Sequence, residues 1–163
     1  MVWRLCFDPD AGNKPFFHPL SVAGGPALTS ARPHDHPWHY GLWLSWKYIN
    51  GINYWEEDRD TDEPEGKTRW RVTSVDTQTN GAATLWLEVT YLHPSGRTDL
   101  KESRTLRISA PAPDDSYTID WHSDFEAGAN GAVLDRTPMP GEPEGRINGG
   151  YAGLGLRAAP EPL

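Results

Sequence analysis

The sequence predicts an all-β chain that folds as a single antiparallel β-sandwich. Glycine (16) and proline (15) are frequent among the 163 residues, and helix-forming residues are not clustered in any segment. Apolar residues come in short runs separated by turn signals, which is typical of many short strands. Between residues 69 and 126 the apolar and polar positions alternate, as in strands with one buried face. We therefore expect almost no helix.

Two short apolar pieces open the chain and predict edge strands over residues 2–7 and 15–20. A strand is then predicted from Tyr40 to Tyr48. Apolar side chains fall on both of its faces, which indicates burial between two layers. Asn-Gly at positions 50–51 is a tight-turn signal, and residues 52–55 continue the sheet before an acidic loop begins.

A meander of four strands follows, and its pattern is the clearest in the chain. The fourth strand splits by face, with Asp120, His122, Asp124 and Glu126 on the polar side. After it comes a segment rich in proline and glycine, and then a final predicted strand over residues 150–157. The meander strands are predicted at residues 69–76, 83–92, 98–109 and 116–126.

Charge and composition exclude several classes of function. The net charge of −8 makes a nucleic-acid partner unexpected. The single cysteine, Cys6, leaves no internal disulfide and no cysteine-rich zinc site. No apolar stretch approaches the ~20 residues that cross a bilayer, so we expect no membrane partner. No basic-then-apolar signal peptide opens the sequence, which makes the cytoplasm the default location.

The segment from Arg32 to Trp46 concentrates the chemistry of the chain, since it holds three of the six histidines and three of the eight tryptophans. His34, His36 and His39 lie between and beside two prolines that restrict the backbone. Three neutral imidazoles can bind one divalent metal ion, or they can act without metal as acid/base groups or hydrogen-bonding groups. The alternative is a structural turn with no chemical role.

Carboxylates and indoles near this segment could complete a site. Glu56 and Glu57 alternate in direction, so only one of them can face the histidines as a metal ligand or acid/base group. Both could instead simply be solvated. Flat indole faces suit the stacking of sugar rings. The substrate-binding candidates are therefore Trp38, Trp43 and Trp55, together with His122 if its strand face lines the site.

Four motifs resemble the DUF6807 family, which also carries the label methane oxygenase PmoA. They are Lys14–Leu20, Arg32–Trp43, Asn50–Glu56 and Gly149–Leu154, the last similar to a family Gly-Gly-Tyr-Gly motif. The resemblance implies an antiparallel sandwich of the galactose-mutarotase-like supersandwich type and carbohydrate chemistry. Family members continue past the Gly-Gly-Tyr motif. We therefore expect residues 1–163 to be one domain that lacks the family's C-terminal part, with an unpaired sheet edge or exposed apolar patch near residues 150–156.

The leading expectation is a carbohydrate-acting enzyme, of hydrolase, lyase or epimerase type, with a small-molecule or oligosaccharide ligand. Its catalytic groups would be His34, His36, His39 and Glu56, and the three histidines are also the candidate ligands of one divalent metal ion. One alternative is a metal-dependent redox enzyme, as the oxygenase label suggests. Another is a sugar-binding domain without catalysis. The sequence indicates neither the substrate nor the oligomeric state.

Overall fold

The computed structural model describes residues 2–6, 14–58, 60–61 and 63–160, and within these ranges the chain forms strands and no helix. The all-β prediction is confirmed. The described residues form no helix, and therefore no helix that is long and apolar enough to cross a membrane. The strands are β1 (Trp3–Cys6), β2 (Phe16–Leu20), β3 (Leu42–Ser45), β4 (Tyr48–Ile49), β5 (Ile52–Asn53), β6 (Lys67–Thr77), β7 (Ala83–Leu92), β8 (Thr98–Ile108), β9 (Ile119–Ala127), β10 (Leu134–Asp135) and β11 (Gly153–Leu156).

The strands build three antiparallel sheets. One has the order β1-β2-β3-β11 and another is the meander β6-β7-β8-β9, while β10-β4-β5 forms a small third sheet. The two four-stranded sheets pack face to face through a shared apolar core, which confirms the predicted sandwich. Leu5 and Phe17 come from the first sheet and meet Leu85, Leu87 and Leu106 of the meander.

The meander follows the sequence pattern closely. Along β7 the buried positions are every second residue, and all of them face the first sheet or the small sheet. In β9 the predicted polar face is exposed at Asp120, His122, Asp124 and Glu126. Alternation along the chain therefore decided which side chains enter the core, as the period of two requires.

The predicted single strand from Tyr40 to Tyr48 is wrong, because the chain leaves the first sheet after Ser45. Strand β3 ends there, and β4 then pairs with β5 in the small sheet. Lys47 lies in this break, and its side chain is buried. The Asn50-Gly51 turn is confirmed, since both residues have positive φ (53° and 80°), the backbone of a two-residue hairpin turn.

The first sheet buries aromatic side chains on both faces. Phe17 and Leu42 are register partners on the face toward the sandwich core. Phe16 and Trp43 are the next partners, so they point to the opposite face. There they form a second, aromatic cluster with Tyr40 and Trp55. The candidate site is built on this outer face.

Strand β11 is the edge of the first sheet among the described residues. Two of its leucines, Leu154 and Leu156, remain 56% and 64% exposed. The exposed apolar patch expected near residues 150–156 is therefore present. Leu154 and Leu156 are the register partners of Leu44 and Leu42 of β3.

Candidate functional site

The histidine-rich loop is a closed structure between two paired residues. Ala31 and Tyr40 form an isolated antiparallel bridge, and the carbonyl of His39 accepts a hydrogen bond from the amide of Arg32. Two consecutive turns lie between them, in which the amide of His36 donates to Pro33 and that of His39 donates to His36. The backbone of the loop therefore satisfies its own hydrogen bonds and holds the imidazoles in defined places.

Gly41 connects this loop to β3. Its φ is +78°, and a β-carbon there would lie 2.3 Å from the carbonyl oxygen of Phe17. Only glycine fits this turn without moving β2. The entry into β3 is thus set by a close approach of two backbones.

An aromatic cavity of about 590 Å³ opens beside the loop. It is large enough for a small-molecule ligand. Two loop histidines, three tryptophans and a carboxylate contribute to its wall, along with residues around β11. These members are His36, Trp38, His39, Trp43, Trp55, Glu56, Asn148, Tyr151, Ala152, Leu154, Gly155 and Leu156.

The aromatic rings of the cavity form a continuous wall. The ring centroids of Trp43 and Trp55 are 5.3 Å apart, and those of Trp55 and Tyr151 are 5.5 Å apart. His39 lies 5.2 Å from the Trp43 ring on the loop side. Trp43 and Trp55 are almost fully buried, so they form the floor, while Tyr151 is 36% exposed at the opening. Such a wall offers apolar ring faces together with a few polar edges.

His36 is held by a carboxylate at the entrance of the cavity. Its Nδ1 lies 2.8 Å from Oδ2 of Asp35, which also accepts a hydrogen bond of 2.9 Å from the Arg157 guanidinium. The hydrogen bond with His36, followed by the contact with Arg157, lowers the pKa of Asp35 to about 2. The side chain of His36 is 44% exposed. It is an oriented imidazole with access to solvent and ligand, which is what an acid/base group needs.

His39 is the more deeply placed of the two cavity histidines. Burial, and then the nearby His36, lowers its pKa to about 4, so its imidazole is neutral at physiological pH. Its buried Nδ1 has no hydrogen-bond partner among the described residues, and the same holds for Nε1 of Trp43. Both atoms are buried, so neither is exposed on the surface of the cavity.

Glu56 is the carboxylate of the cavity, and it is the centre of a polar network. One oxygen accepts hydrogen bonds from the Lys47 ammonium and the Asn53 amide, and the other accepts a bond of 3.0 Å from the Tyr151 hydroxyl. Burial alone raises the pKa of Glu56, but the bonds from Lys47 and Asn53 outweigh it and hold the pKa below its ordinary value. The carboxylate is therefore ionised, and it is a weaker base than an unperturbed glutamate.

Glu57 points the other way, as the alternation of the two glutamates predicts. Its carboxylate accepts hydrogen bonds from the Tyr40 hydroxyl and the Arg32 guanidinium beneath the loop. Nearby, the buried Lys14 ammonium donates to the carbonyl of Trp55 at 2.7 Å and lies over the Tyr40 ring. Burial lowers the pKa of Lys14 to about 8. This second network supports the loop and the floor of the cavity from behind.

Sequence reasoning named half of the twelve residues that line the cavity, and it missed Tyr151 in the lining and Lys47 behind Glu56. Lys47 lay inside a predicted apolar strand, where a charged side chain gives no sign of a site. Tyr151 belongs to the Gly-Gly-Tyr segment, which was the available signal. Two predicted site residues lie elsewhere. His34 is exposed and does not line the aromatic cavity, and His122 is exposed on β9 beside Asp124.

The loop histidines do not fit a shared metal ion. The rings of His36 and His39 are stacked, with centroids 4.8 Å apart and planes 23° from parallel. Metal binding uses the in-plane lone pair, and the lone pairs of two stacked rings run side by side rather than meeting. Within the described residues, no group of three or more histidine, cysteine, aspartate or glutamate side chains could hold a metal ion.

Comparison with known proteins identifies the family of the chain but no individual relative. The model of a family of unknown function, DUF6807, matches residues 1–162. No curated protein matches the chain, and no solved structure does.

Proposed function

The chain belongs to the DUF6807 family, and we propose that it is a carbohydrate-acting enzyme whose substrate occupies the aromatic cavity. The observation that carries this proposal is the composition of one wall. It combines three indoles and a phenol with an oriented imidazole and an ionised carboxylate. Apolar ring faces beside a few placed polar groups are what recognises a sugar, which has apolar C–H faces and a polar rim.

The binding part of the proposal rests on the aromatic wall of the cavity. Trp38 and Tyr151 are partly exposed and offer ring faces to a sugar, and the buried Trp55 packs against Tyr151 with ring centroids 5.5 Å apart. His39 is half-buried and lines the cavity, so its imidazole ring is available to sugar hydroxyl groups. The neutral state of His39 suits it to bind hydroxyl groups rather than to transfer protons.

The catalytic part rests on a carboxylate and an imidazole that both line the cavity. Glu56 is ionised and acts as the base that takes a proton from the sugar. His36, oriented by Asp35, gives a proton to the oxygen that leaves or to the carbon that is inverted. One base and one acid across a sugar ring suit a lyase or an epimerase. Hydrolysis commonly needs two carboxylates, and Glu56 is the one carboxylate among the described residues that line this cavity.

The test is a panel of monosaccharides, disaccharides and uronic-acid oligosaccharides, measured for binding by calorimetry and for turnover by product analysis. We expect one sugar class to bind and react, and Glu56→Gln and His36→Gln to lower kcat by about 10²–10⁴-fold with the ligand still bound. Binding without turnover by the wild type would make the chain a sugar-binding domain. Activity that appears only with added Fe²⁺ or Cu²⁺, and on no sugar, would favour the oxygenase alternative.

Glu56 needs a stability control, because it neutralises a buried lysine. The Lys47 side chain is 4% exposed, and Glu56→Gln leaves its charge without a full partner. The double variant Lys47→Met with Glu56→Gln removes that charge as well. We expect it to recover stability lost in Glu56→Gln but not to recover turnover. Recovery of turnover would assign Glu56 a purely structural role.

A further inference from the structure

A second cavity adjoins the aromatic one and differs from it in chemistry. It has a volume of about 300 Å³ and shares Glu56, Asn148 and Tyr151 with the aromatic cavity. The remaining wall is mostly polar. Its distinctive members are Lys47, Tyr48, Thr137, Glu144, Arg146 and Gly149. Glu56 and Tyr151 therefore stand at the junction of an aromatic compartment and a polar compartment.

Arg146 is the group of the polar compartment that a ligand can use most readily. Its side chain is exposed and makes no salt bridge to another described residue. Lys47, by contrast, is already neutralised by Glu56. A guanidinium carries five N–H donors in a fixed plane, which suits neighbouring hydroxyl or carboxylate oxygens.

The loop that carries Arg146 is built as a rigid wall. A β-carbon at Gly145 would lie 1.9 Å from the carbonyl oxygen of Met139, and one at Gly149 would lie 1.8 Å from that of Pro138. The amide of Gly150 donates to Thr137, which closes the base of the loop. Such close backbone approaches leave the loop little freedom, so the polar compartment is formed before a ligand arrives.

We propose that the polar compartment is a second sugar subsite, so that the natural substrate is at least two linked sugar units that span the junction at Glu56 and Tyr151. This inference rests on the proposed function of the aromatic cavity. One unit lies against Trp38 in the aromatic cavity, and the next presents its oxygens to Arg146 and Asn148. The linkage between them then lies beside the ionised carboxylate and the phenol that donates to it. Two joined cavities of about 590 and 300 Å³ offer separate space to each unit.

The experiment compares each monosaccharide with its dimer, using glucose with cellobiose, xylose with xylobiose, and galacturonic acid with digalacturonic acid. Binding to the wild type and to Arg146→Ala is measured by titration calorimetry. We expect the matching dimer to bind the wild type at least about tenfold more tightly than its monomer. Arg146→Ala should remove most of that gain and leave the monomer's Kd unchanged. Arg71→Ala, which removes an exposed arginine on β6, is the charge-matched control.

The outcomes separate the two proposals. Equal affinity for monomer and dimer, or an equal loss for both in Arg146→Ala, overturns the second subsite while the sugar-binding cavity stands. Failure of every sugar to bind the wild type overturns both. A gain seen with digalacturonic acid alone supports the subsite and shows that Arg146 binds a carboxylate. A gain with neutral dimers supports the subsite with hydroxyl recognition.

Discussion

The indole of Trp43 packs directly on Gly155, its register partner across β3 and β11. A β-carbon at position 155 would lie 2.8 Å from Cζ2 of the indole, and two other atoms of the same ring would be about as close, at 3.0 Å. The missing side chain thus makes room for the floor of the aromatic cavity. The edge strand β11 and the buried strand β3 set the position of the ring together.

We expect Gly155→Ala to displace Trp43 and to weaken sugar binding. Overpacking at a buried ring costs about 1–3 kcal/mol of the free energy of unfolding. Denaturant unfolding and calorimetry measure the two effects. Trp43→Phe shortens the ring, so the double variant should lose less stability than the sum of the single variants. Strict additivity would mean that the two residues do not compete for the same space.

His36→Ala should abolish turnover with little effect on stability. The side chain is 44% exposed and its partner Asp35 is exposed too, so its removal takes little from the core. The expected loss in kcat is about 10²–10⁴-fold, with a change of less than about 0.5 kcal/mol in the free energy of unfolding. His93→Ala, in the turn between β7 and β8, is the matched control. A variant that unfolds instead would make the histidine loop structural.

The lowered pKa of His39 predicts that the protein loses stability as the pH falls. Its folded-state pKa of about 4 is below the ordinary value of 6.5. Between these values the unfolded chain holds more protons than the folded chain, so the free energy of unfolding falls as the pH falls. The full shift corresponds to about 2 kcal/mol at pH 5, and partial exposure of the ring reduces the expected effect to about 1 kcal/mol.

The measurement is urea unfolding at pH 7 and pH 5 for the wild type and for His39→Gln. The wild type should lose about 1 kcal/mol more than the variant on going to pH 5. Carboxylates contribute equally to both proteins, so the difference isolates His39. An identical pH dependence in the two proteins would show that the imidazole titrates normally in the folded state.

Glu102 and Arg104 form an ion pair inside the sandwich, on the inner face of β8. Both side chains have no exposure, their nitrogens and oxygens meet at 2.6 and 2.8 Å, and Arg104 lies over the Trp121 ring at 4.6 Å. Arg104→Met leaves the carboxylate buried with only Tyr91 and Ser123 as partners. We expect a loss of about 3–5 kcal/mol.

The double variant Glu102→Leu with Arg104→Met tests the origin of that loss. It removes both charges, so thermal unfolding should show a smaller loss than in Arg104→Met alone. Neither residue lines the aromatic cavity, and sugar affinity should not change while the protein is folded. A double variant less stable than either single variant would show that the pair contributes a net attraction.

Local pattern was enough to predict the meander but not the path around Lys47. Each strand from β6 to β9 shows its buried face as a period of two, which is visible without knowledge of the partner strand. Beyond the change of sheet after Ser45, the buried Lys47 pairs with the partly buried Glu56. A sequence pattern does not show such a pair, because its members are nine residues apart and belong to different elements.

The candidate site also has parts that the sequence predicted and parts that only the tertiary structure revealed. The sequence alone determined the all-β class, the rigid turn-rich loop and the concentration of imidazoles and indoles, because composition, prolines and alternation act locally. Only the tertiary structure decided that His36 and His39 stack in one cavity, that His34 and His122 lie elsewhere, and that Tyr151 joins Glu56. These relations depend on contacts between distant segments, and the pairing of β11 with β3 creates the last of them.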